Sequence, residues 1–372
     1  PTPAPTRQAI AVLYFTNLSQ DRALDWLDRG LTEMLTTNLS QVKGMDVLST
    51  ERIASVLGRL GKKQMSAEVA PEVARNAGAG VFVTGTLMRV GPDRLRLDVR
   101  GQDASGGQIL FSEKVEGEDI KAVFKMVDAL TARMAERFLP SGRLPGEAPA
   151  IEELATSNLE AYRHYQAGRD YVLRYARASA LREYQEAVRL DPQFALAHLE
   201  MLSVMASLNS PPRERYELLK RLEALEPRLP RKAFLRLRLE KALLGNDFEG
   251  ARRGYEALLA EFPRESWLRS RYSSTLNGFS QDQQAVETVL EGLRLDPNDP
   301  HLWNHAAYKY NLLGNCQAAL AAMDRCMALD SDLAWWDSRG DVLSVCGRPE
   351  EAVAAYQKVV ESKAEQRNLD LL

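Results

Sequence analysis

The 372-residue sequence predicts an α/β mixed-sheet domain followed by an all-α solenoid of paired helices. In the second half, a small residue recurs about every 34 residues, at Ala180, Ala251, Ala285, Ala319 and Ala352, where the first gap is about two periods. Such a period is typical of helix pairs that stack on one another. The first 140 residues instead combine short apolar runs with amphipathic stretches, which indicates a sheet flanked by helices.

The α/β domain is predicted at residues 9–138, with the element order βαβα(α)βββα. A buried strand at Ala9–Phe15 precedes an amphipathic helix over Ala23–Leu39 and a short strand at Met45–Ser49. Helices follow from Thr50 to about Leu60 and over Ala67–Asn76. The remaining predicted elements are a β-meander over residues 80–90, 94–103 and 108–117 and a closing helix at 120–138.

Proline and glycine mark the limits of the two predicted domains. Residues 1–8 resemble the end of a Pro-rich linker, which suggests that the natural protein extends further. Residues 139–155 form a second predicted linker, and about six repeats occupy 156–366. The long gap before Ala251 predicts a degenerate copy at 195–228. In that copy Arg215 replaces the small residue, although two helices, Ala195–Leu208 and Arg213–Glu226, are still expected.

Composition excludes several classes of function. Lys and Arg total 48 against 51 Asp and Glu, and no basic patch stands out, so we expect no nucleic-acid partner. No apolar run reaches 18 residues, so this chain is not expected to insert into a membrane by itself.

Cysteine and histidine do not predict catalytic chemistry. Cys316, Cys326 and Cys346 are an odd number without a spacing pattern, so we expect buried or free thiols, with a Cys316–Cys346 disulfide as the alternative. His301 and His305 are four residues apart but lack a third ligand and a nearby acid. We therefore predict no catalytic residue, no metal site and no cofactor.

Residues 10–57 resemble the amino-terminal domain of TolB-like proteins, and the likeness continues over residues 74–138. The shared positions are Asn17, Leu18, Ser19, Asp21, Gly30, Leu31, Thr32, Glu33 and Leu35.

Residues 161–360 resemble tetratricopeptide repeats. Trp303, Tyr310, Trp336 and Gly340 match the first-helix positions of that family. Trp303 and Trp336 fall at repeat positions that face the core, so both are expected to be packed. Trp335 is at a position where it could be exposed. The combined architecture resembles sensor regions joined to bacterial serine/threonine kinases, adenylate cyclases and winged-helix regulators.

The resemblance implies that the first helix of each repeat lines a concave face that binds a protein or peptide. Carried over by position, it selects Tyr162, Tyr165, Arg169, Arg236, Glu240, Ser270, Ser274, Asn277, Asn304, Tyr308, Asn311, Asp337 and Asp341. Among these, Asn304, Tyr308 and Asn311 offer amide and aromatic groups that suit the backbone of an extended peptide.

The sequence therefore favours a non-enzymatic sensor or regulatory region of a bacterial membrane-linked signalling protein. A kinase context is the first hypothesis and a cyclase context the second, with an extracytoplasmic, periplasmic location expected. A free-standing scaffold or assembly factor of the cell envelope is the alternative. An enzyme that uses the α/β domain is the third hypothesis.

Overall fold

The computed structural model describes residues 9–62, 64–91, 94–138, 150–174, 176–330 and 334–369. The described residues up to Gly254 form one compact unit and those from Tyr255 form another. We call these the first and second units and describe each by itself. The predicted fold class is confirmed, because a small mixed sheet with flanking helices precedes an all-α series of helix pairs. The predicted domain limits stay a prediction, and residues 1–8 and 139–149 lie outside the described residues.

The sheet of the first unit has four strands in the spatial order β1-β2-β3-β4. Strand β1 runs parallel to β2, and the other neighbouring pairs are antiparallel. The strands are β1 (Ile10–Asn17), β2 (Val81–Arg89), β3 (Leu95–Asp103) and β4 (Ile109–Gly117). Buried residues alternate along β3, so the meander has one packed face and one wet face, as the alternating pattern predicts.

Four helices pack around this sheet: α1 (Leu27–Gln41), α2 (Thr50–Arg59), α3 (Ala70–Ala77) and α4 (Val123–Phe138). Apolar residues of α1 and α4 belong to the same core as β3 and β4, whereas α2 and α3 share a second core with β1. Ser49 caps α2 through the main-chain N–H of Arg52. The predicted strand Met45–Ser49 is wrong, since the described chain there forms one isolated bridge, between Val47 and Ile10.

The first unit continues into helix pairs. The helices are α5 (Ile151–Leu154), α6 (Leu159–Leu173), α7 (Arg177–Leu190), α8 (Ala195–Ser207), α9 (Pro212–Ala224), α10 (Arg231–Leu244) and α11 (Phe248–Glu261), the last of which crosses into the second unit. Helices α8 and α9 confirm the two helices expected in the degenerate copy. A Cβ atom on Gly168 would lie 2.5 Å from the Tyr184 ring, so this crossing requires the small residue.

The second unit contains the end of α11 and three further helix pairs. They are α12 (Ser266–Gly278) with α13 (Asp282–Leu295), α14 (Pro300–Leu312) with α15 (Cys316–Leu329), and α16 (Ala334–Val345) with α17 (Pro349–Leu369). The recurring Ala285, Ala319 and Ala352 are all buried at the contacts of their second helices. A larger side chain there would overpack the contact, at a cost of roughly 1–3 kcal/mol.

Candidate partner-binding surface

Two tyrosines predicted to meet a partner lie in the core of the first unit. Tyr162 and Tyr165 on α6 are almost fully buried. The Tyr162 ring contacts Phe124 of α4 edge to face at 5.9 Å and stacks on Phe194 at 6.2 Å. The assignment of both tyrosines to a partner-binding face is therefore wrong, because Phe124 of the α/β part packs on Tyr162, and Tyr184 and Phe194 pack on Tyr165.

Arg169, further along α6, is also engaged within the first unit. Its guanidinium forms an ion pair with Glu33 of α1 at 3.0 Å and a second with Glu51 of α2. It also donates to the Thr50 hydroxyl at 3.0 Å. Burial works against ionisation of Glu51, but the positive charges of Arg169, Lys232 and Arg236 together outweigh it and lower the pKa of that carboxyl to about 2. Arg169 thus joins α6 to the α/β helices.

The selected residues of α10 are likewise used inside the first unit. Arg236 donates to Glu200 of α8 at 2.6 Å, and this pair is largely buried. Glu240 is buried as well, which corrects its assignment to an exposed face. The start of α10 contacts α1, since the Arg231 main-chain N–H donates to Gln41 at 3.1 Å. Sequence position therefore does not reveal that helix α1 lies against α6 and the start of α10.

In the second unit, the corresponding positions form a surface on α12, α14 and α16, which we call the first-helix face. The Tyr308 hydroxyl donates to Asp341 at 2.7 Å, and Tyr356 of α17 donates to the same carboxylate at 2.8 Å. Burial, followed by the Asp341 hydrogen bond, raises the pKa of Tyr308 to about 12. The structure thus brings together two predicted site residues, Tyr308 and Asp341, on neighbouring repeats. Ser274 and Asp337 are exposed, and Asn304 is half-buried.

Asn277 on α12 has both ends of its amide occupied. Its oxygen accepts a hydrogen bond from the Lys309 ammonium of α14, and its nitrogen donates to Asp282 at 2.5 Å. Lys309 is only 7% exposed, and burial lowers its pKa. Sequence reasoning did not select this lysine, because nothing in its spacing separates a buried lysine from a solvated one.

Two buried acceptors on the first-helix face lack partners among the described residues. They are the Oγ of Ser270 on α12 and the Oδ1 of Asn304 on α14, which occupy equivalent positions one repeat apart. Ser270 as a residue is 9% exposed. Buried polar atoms are nearly always hydrogen-bonded in folded proteins, so two such atoms on neighbouring first helices call for an explanation.

Asn311 lies inside the packing between α14 and α16. It is buried, and its side-chain nitrogen donates to the Val342 carbonyl at 3.4 Å. Its assignment to the partner surface is therefore corrected, since the amide links two repeats instead.

The expectation of free thiols is wrong for two of the three cysteines. Cys316 and Cys346 form a disulfide, because the turns of adjacent repeats bring their Cα atoms to 5.5 Å, within the range a disulfide can bridge. Cys326 is free and buried.

His301, His305 and Trp335 are packed against neighbouring side chains and do not form a metal site. His301 meets the Trp335 ring edge to face at 5.2 Å, and Trp335 is buried, which corrects its expected exposure. Burial lowers the pKa of His305 to about 4. Within the described ranges, no cluster of three or more His, Cys, Asp or Glu side chains could hold a metal ion. A search of the same residues found no helix with the length and apolar character needed to cross a bilayer.

Sequence comparison finds one distant relative. No family model matches the chain. A protein of Rhizobium meliloti (strain 1021) named "Putative adenylate cyclase 3" is 26% identical over 209 residues, which is 55% of this chain and 34% of that protein. The chain thus spans about a third of the length of this relative.

Structure comparison finds helical repeat proteins at low similarity. PilW, a type IV pilus biogenesis factor, aligns over 54% of this chain and 93% of its own at 14% identity, with a TM-score of 0.43. The Cut9–Hcn1 hetero-tetramer of APC/C aligns over 54% and 40% at 18% identity, with a TM-score of 0.41. A thermophilic TPR protein from Thermus thermophilus, TTC0263, covers 57% and 95% at 17% identity, with a TM-score of 0.37.

Proposed function

We propose that this chain is a non-catalytic protein-interaction region, and that the first-helix face of the second unit binds an extended peptide segment of a partner. The observation that carries the proposal is the pair of buried, unpartnered acceptors, Ser270 Oγ and Asn304 Oδ1. A peptide main chain supplies N–H donors, which both atoms lack. The half-buried Tyr308 beside them offers an aromatic surface at low entropy cost.

The spacing of the two acceptors suits an extended chain. They lie on neighbouring first helices, and packed helices are separated by about 10 Å. An extended chain advances about 3.3 Å per residue and its N–H groups alternate in direction, so donors two or four residues apart, separated by roughly 7 or 13 Å, face the same side and bracket this distance. Of the predicted site residues, Ser270, Ser274, Asn277, Asn304, Tyr308, Asp337 and Asp341 remain in the proposal; Arg169 and Arg236 are used within the first unit.

The larger protein that contains this region is proposed to be a bacterial signalling protein. The Rhizobium meliloti relative favours a cyclase context over the kinase context that the sequence alone puts first. The resemblance of residues 10–57 and 74–138 to TolB-like proteins supports a sensor role for the α/β part. A cell-envelope scaffold is the alternative, and determining the sequence encoded upstream of Pro1 distinguishes the two.

An extracytoplasmic location is part of the proposal and is supported by the Cys316–Cys346 disulfide. Disulfides persist in oxidising compartments and are rare in the cytosol. Alkylation of thiols in intact cells tests this point. Protection of both cysteines until a reductant is added is expected, and two freely alkylated thiols would argue for the cytosol.

Peptide selection on the full chain tests the binding role. Peptides enriched from a displayed random library would be labelled, and their affinity measured by fluorescence anisotropy. We expect Asn304→Ala combined with Tyr308→Ala to weaken binding at least tenfold, with the far-UV spectrum unchanged. Arg294→Ala on α13 is the matched control, because this side chain is 74% exposed and lies on a second helix. Equal affinity of the double variant and the wild type would remove the first-helix face from the site.

A further inference from the structure

We propose that the groove between β4 and α4 accepts an acidic, extended segment of a partner protein as a fifth strand of the sheet. This site lies in the first unit and is separate from the first-helix face. Strand β4 is the terminal strand of the sheet, so one side of its main chain is not paired with another strand of the described ranges. Addition of a strand to such an edge is a common mode of peptide recognition.

The direction of the free main-chain groups follows from one hydrogen bond. The Lys114 carbonyl accepts from the Arg133 guanidinium at 2.5 Å and therefore points away from β3. Main-chain groups alternate along an antiparallel strand, so those of Ser112 and Glu116 point the same way. Arg133 is the side chain that occupies this edge in the described structure. An arriving strand would replace its contact with the carbonyl, and the guanidinium would keep its 3.8 Å ion pair with Glu113.

A groove lies beside this edge and has an apolar floor. It encloses about 350 Å³ between β4 and one stripe of α4. Its floor is lined by Val115, Ala122, Met126 and Ala129. Its rim is formed by Lys125 and Arg133 of α4 and by Lys114 and Glu116 of β4, whose side chains alternate with Val115 and so point to the other face of the sheet. The volume is near the lower end of ligand pockets, which suits a few small aliphatic side chains. Alternate residues of an added strand would point into it.

The charges around the groove select the partner. Glu113 is already neutralised by Arg137 at 3.1 Å and Arg133 at 3.8 Å. Neither Lys114 nor Lys125 forms an ion pair with any described residue. Glu116 remains as the acidic group of the rim, 3.9 Å from Arg94. A basic rim attracts an acidic segment and disfavours a second copy of the same edge, whose rim carries the same charge.

Exposed apolar residues extend the surface along the strand. Ile109 and Leu110, at the start of β4, are 52% and 51% exposed. Proteins usually protect a free edge of this kind with charges, proline or a covering segment. Here the apolar start of the strand is open, which is consistent with a surface that a partner covers.

Binding of a synthetic peptide to the full chain tests the proposal. The probe is a fluorescein-labelled heptapeptide that alternates glutamate with valine, and the matched probe alternates lysine with valine. Fluorescence anisotropy should show at least tenfold tighter binding of the acidic peptide. Hydrogen exchange should slow within residues 109–117 when this peptide is bound. Equal binding of both peptides, or no slowing in β4, overturns the proposal.

A proline variant tests the strand geometry. Ser112→Pro removes an outward N–H at an edge position where proline is tolerated, whereas Ser112→Ala keeps it. We expect Ser112→Pro to weaken the acidic peptide at least tenfold and Ser112→Ala to leave it unchanged. Retained binding by a folded Ser112→Pro protein excludes strand addition.

A charge variant makes the proposal testable even if the proline variant does not fold. Lys125→Glu changes an exposed side chain and should weaken binding of the acidic peptide while strengthening binding of the basic one. No change in this preference overturns the charge argument.

Concentration-dependent dimerisation that Ser112→Pro abolishes would instead identify a second copy as the occupant. The Asn304→Ala and Tyr308→Ala double variant should bind the acidic peptide normally, which separates this site from the proposed function.

Discussion

Equivalent repeat positions have opposite environments in the two units. On α6 of the first unit, Tyr162 is buried against α4, Tyr165 is buried against Tyr184 and Phe194, and Arg169 is paired with Glu33 of α1. On α14 of the second unit, Asn304 and Tyr308 remain partly open. The position within a repeat sets the direction of a side chain. Whether that side chain can meet a partner depends on what else in the chain packs there.

The residue types at these positions match their environments. Two aromatic rings on α6 bury a large apolar area against Phe124 and Phe194. On α14 the same face carries amide groups, which are costly to bury without partners. The comparison therefore suggests that aromatic first-helix residues next to another domain indicate internal packing. An amide alone does not decide, because Asn311 links two repeats whereas the Asn304 side-chain oxygen has no partner among the described residues.

The largest predicted effect concerns the buried ion pair of the first unit. Arg169→Met leaves Glu33 buried without its cation, and breaking such a pair costs about 3–5 kcal/mol. Hydrogen exchange of the full chain should show the loss in the first unit, with the second unit unchanged. Arg163→Met is the control, because Arg163 lies on the same helix but is 56% exposed. An Arg169→Met protein as stable as this control would mean that the ion pair does not hold the α/β part to the repeats.

The fold was more predictable from the sequence than the site. A period of about 34 residues and the alternation along β3 report local packing, which is encoded at each position. The predicted strand at Met45–Ser49 was wrong because a short apolar run does not show whether a neighbouring strand pairs with it over more than one bridge. Tyr162, Tyr165 and the Cys316–Cys346 bond depend on which distant segments meet in space, and one sequence does not show this.

The disulfide of the second unit is predicted to have the next largest effect. Replacing Cys316 and Cys346 together by serine removes a link across a sequence separation of 30 residues, for which about 2–4 kcal/mol is expected. The loss should appear in hydrogen exchange of α14 to α16 and leave the first unit unchanged. The wild type in reducing buffer provides the matched comparison. A serine variant that equals the oxidised wild type would show that the last repeats are held by packing alone.

The carboxylate shared by two tyrosines is predicted to have a moderate effect. Asp341→Ala removes the acceptor of both the Tyr308 and the Tyr356 hydroxyls, at a cost of about 1–2 kcal/mol. It should also free the Tyr308 ring and weaken peptide binding. Asp337→Ala, one turn away and exposed, is the control and should change stability by less than about 0.5 kcal/mol. Equal unfolding midpoints of the two variants would show that the tyrosine contacts contribute nothing measurable to the second unit.

The smallest predicted difference is the response of the two units to acid. Burial lowers the pKa of His305 in the second unit to about 4. Between pH 6.5 and about 4 the unfolded chain therefore binds a proton that the folded chain does not, and stability falls as the pH falls. In the first unit, burial raises the pKa of Asp28 to about 6. There the folded chain holds the extra proton between about pH 6 and 4, so this group adds stability as the pH falls.

Two isosteric substitutions isolate these opposite slopes. Asp28→Asn should remove the stability that the first unit gains on acidification. His305→Gln should remove the stability loss of the second unit. After solvent screening we expect at most about 1 kcal/mol from each group. Hydrogen exchange at pH 6.5 and 4.5, corrected for intrinsic rates, reports the two units separately. If both variants kept the wild-type pH dependence, these side chains would not be the source of it. If the stability of both units changed in the same direction with pH, groups other than Asp28 and His305 would dominate the response to acid.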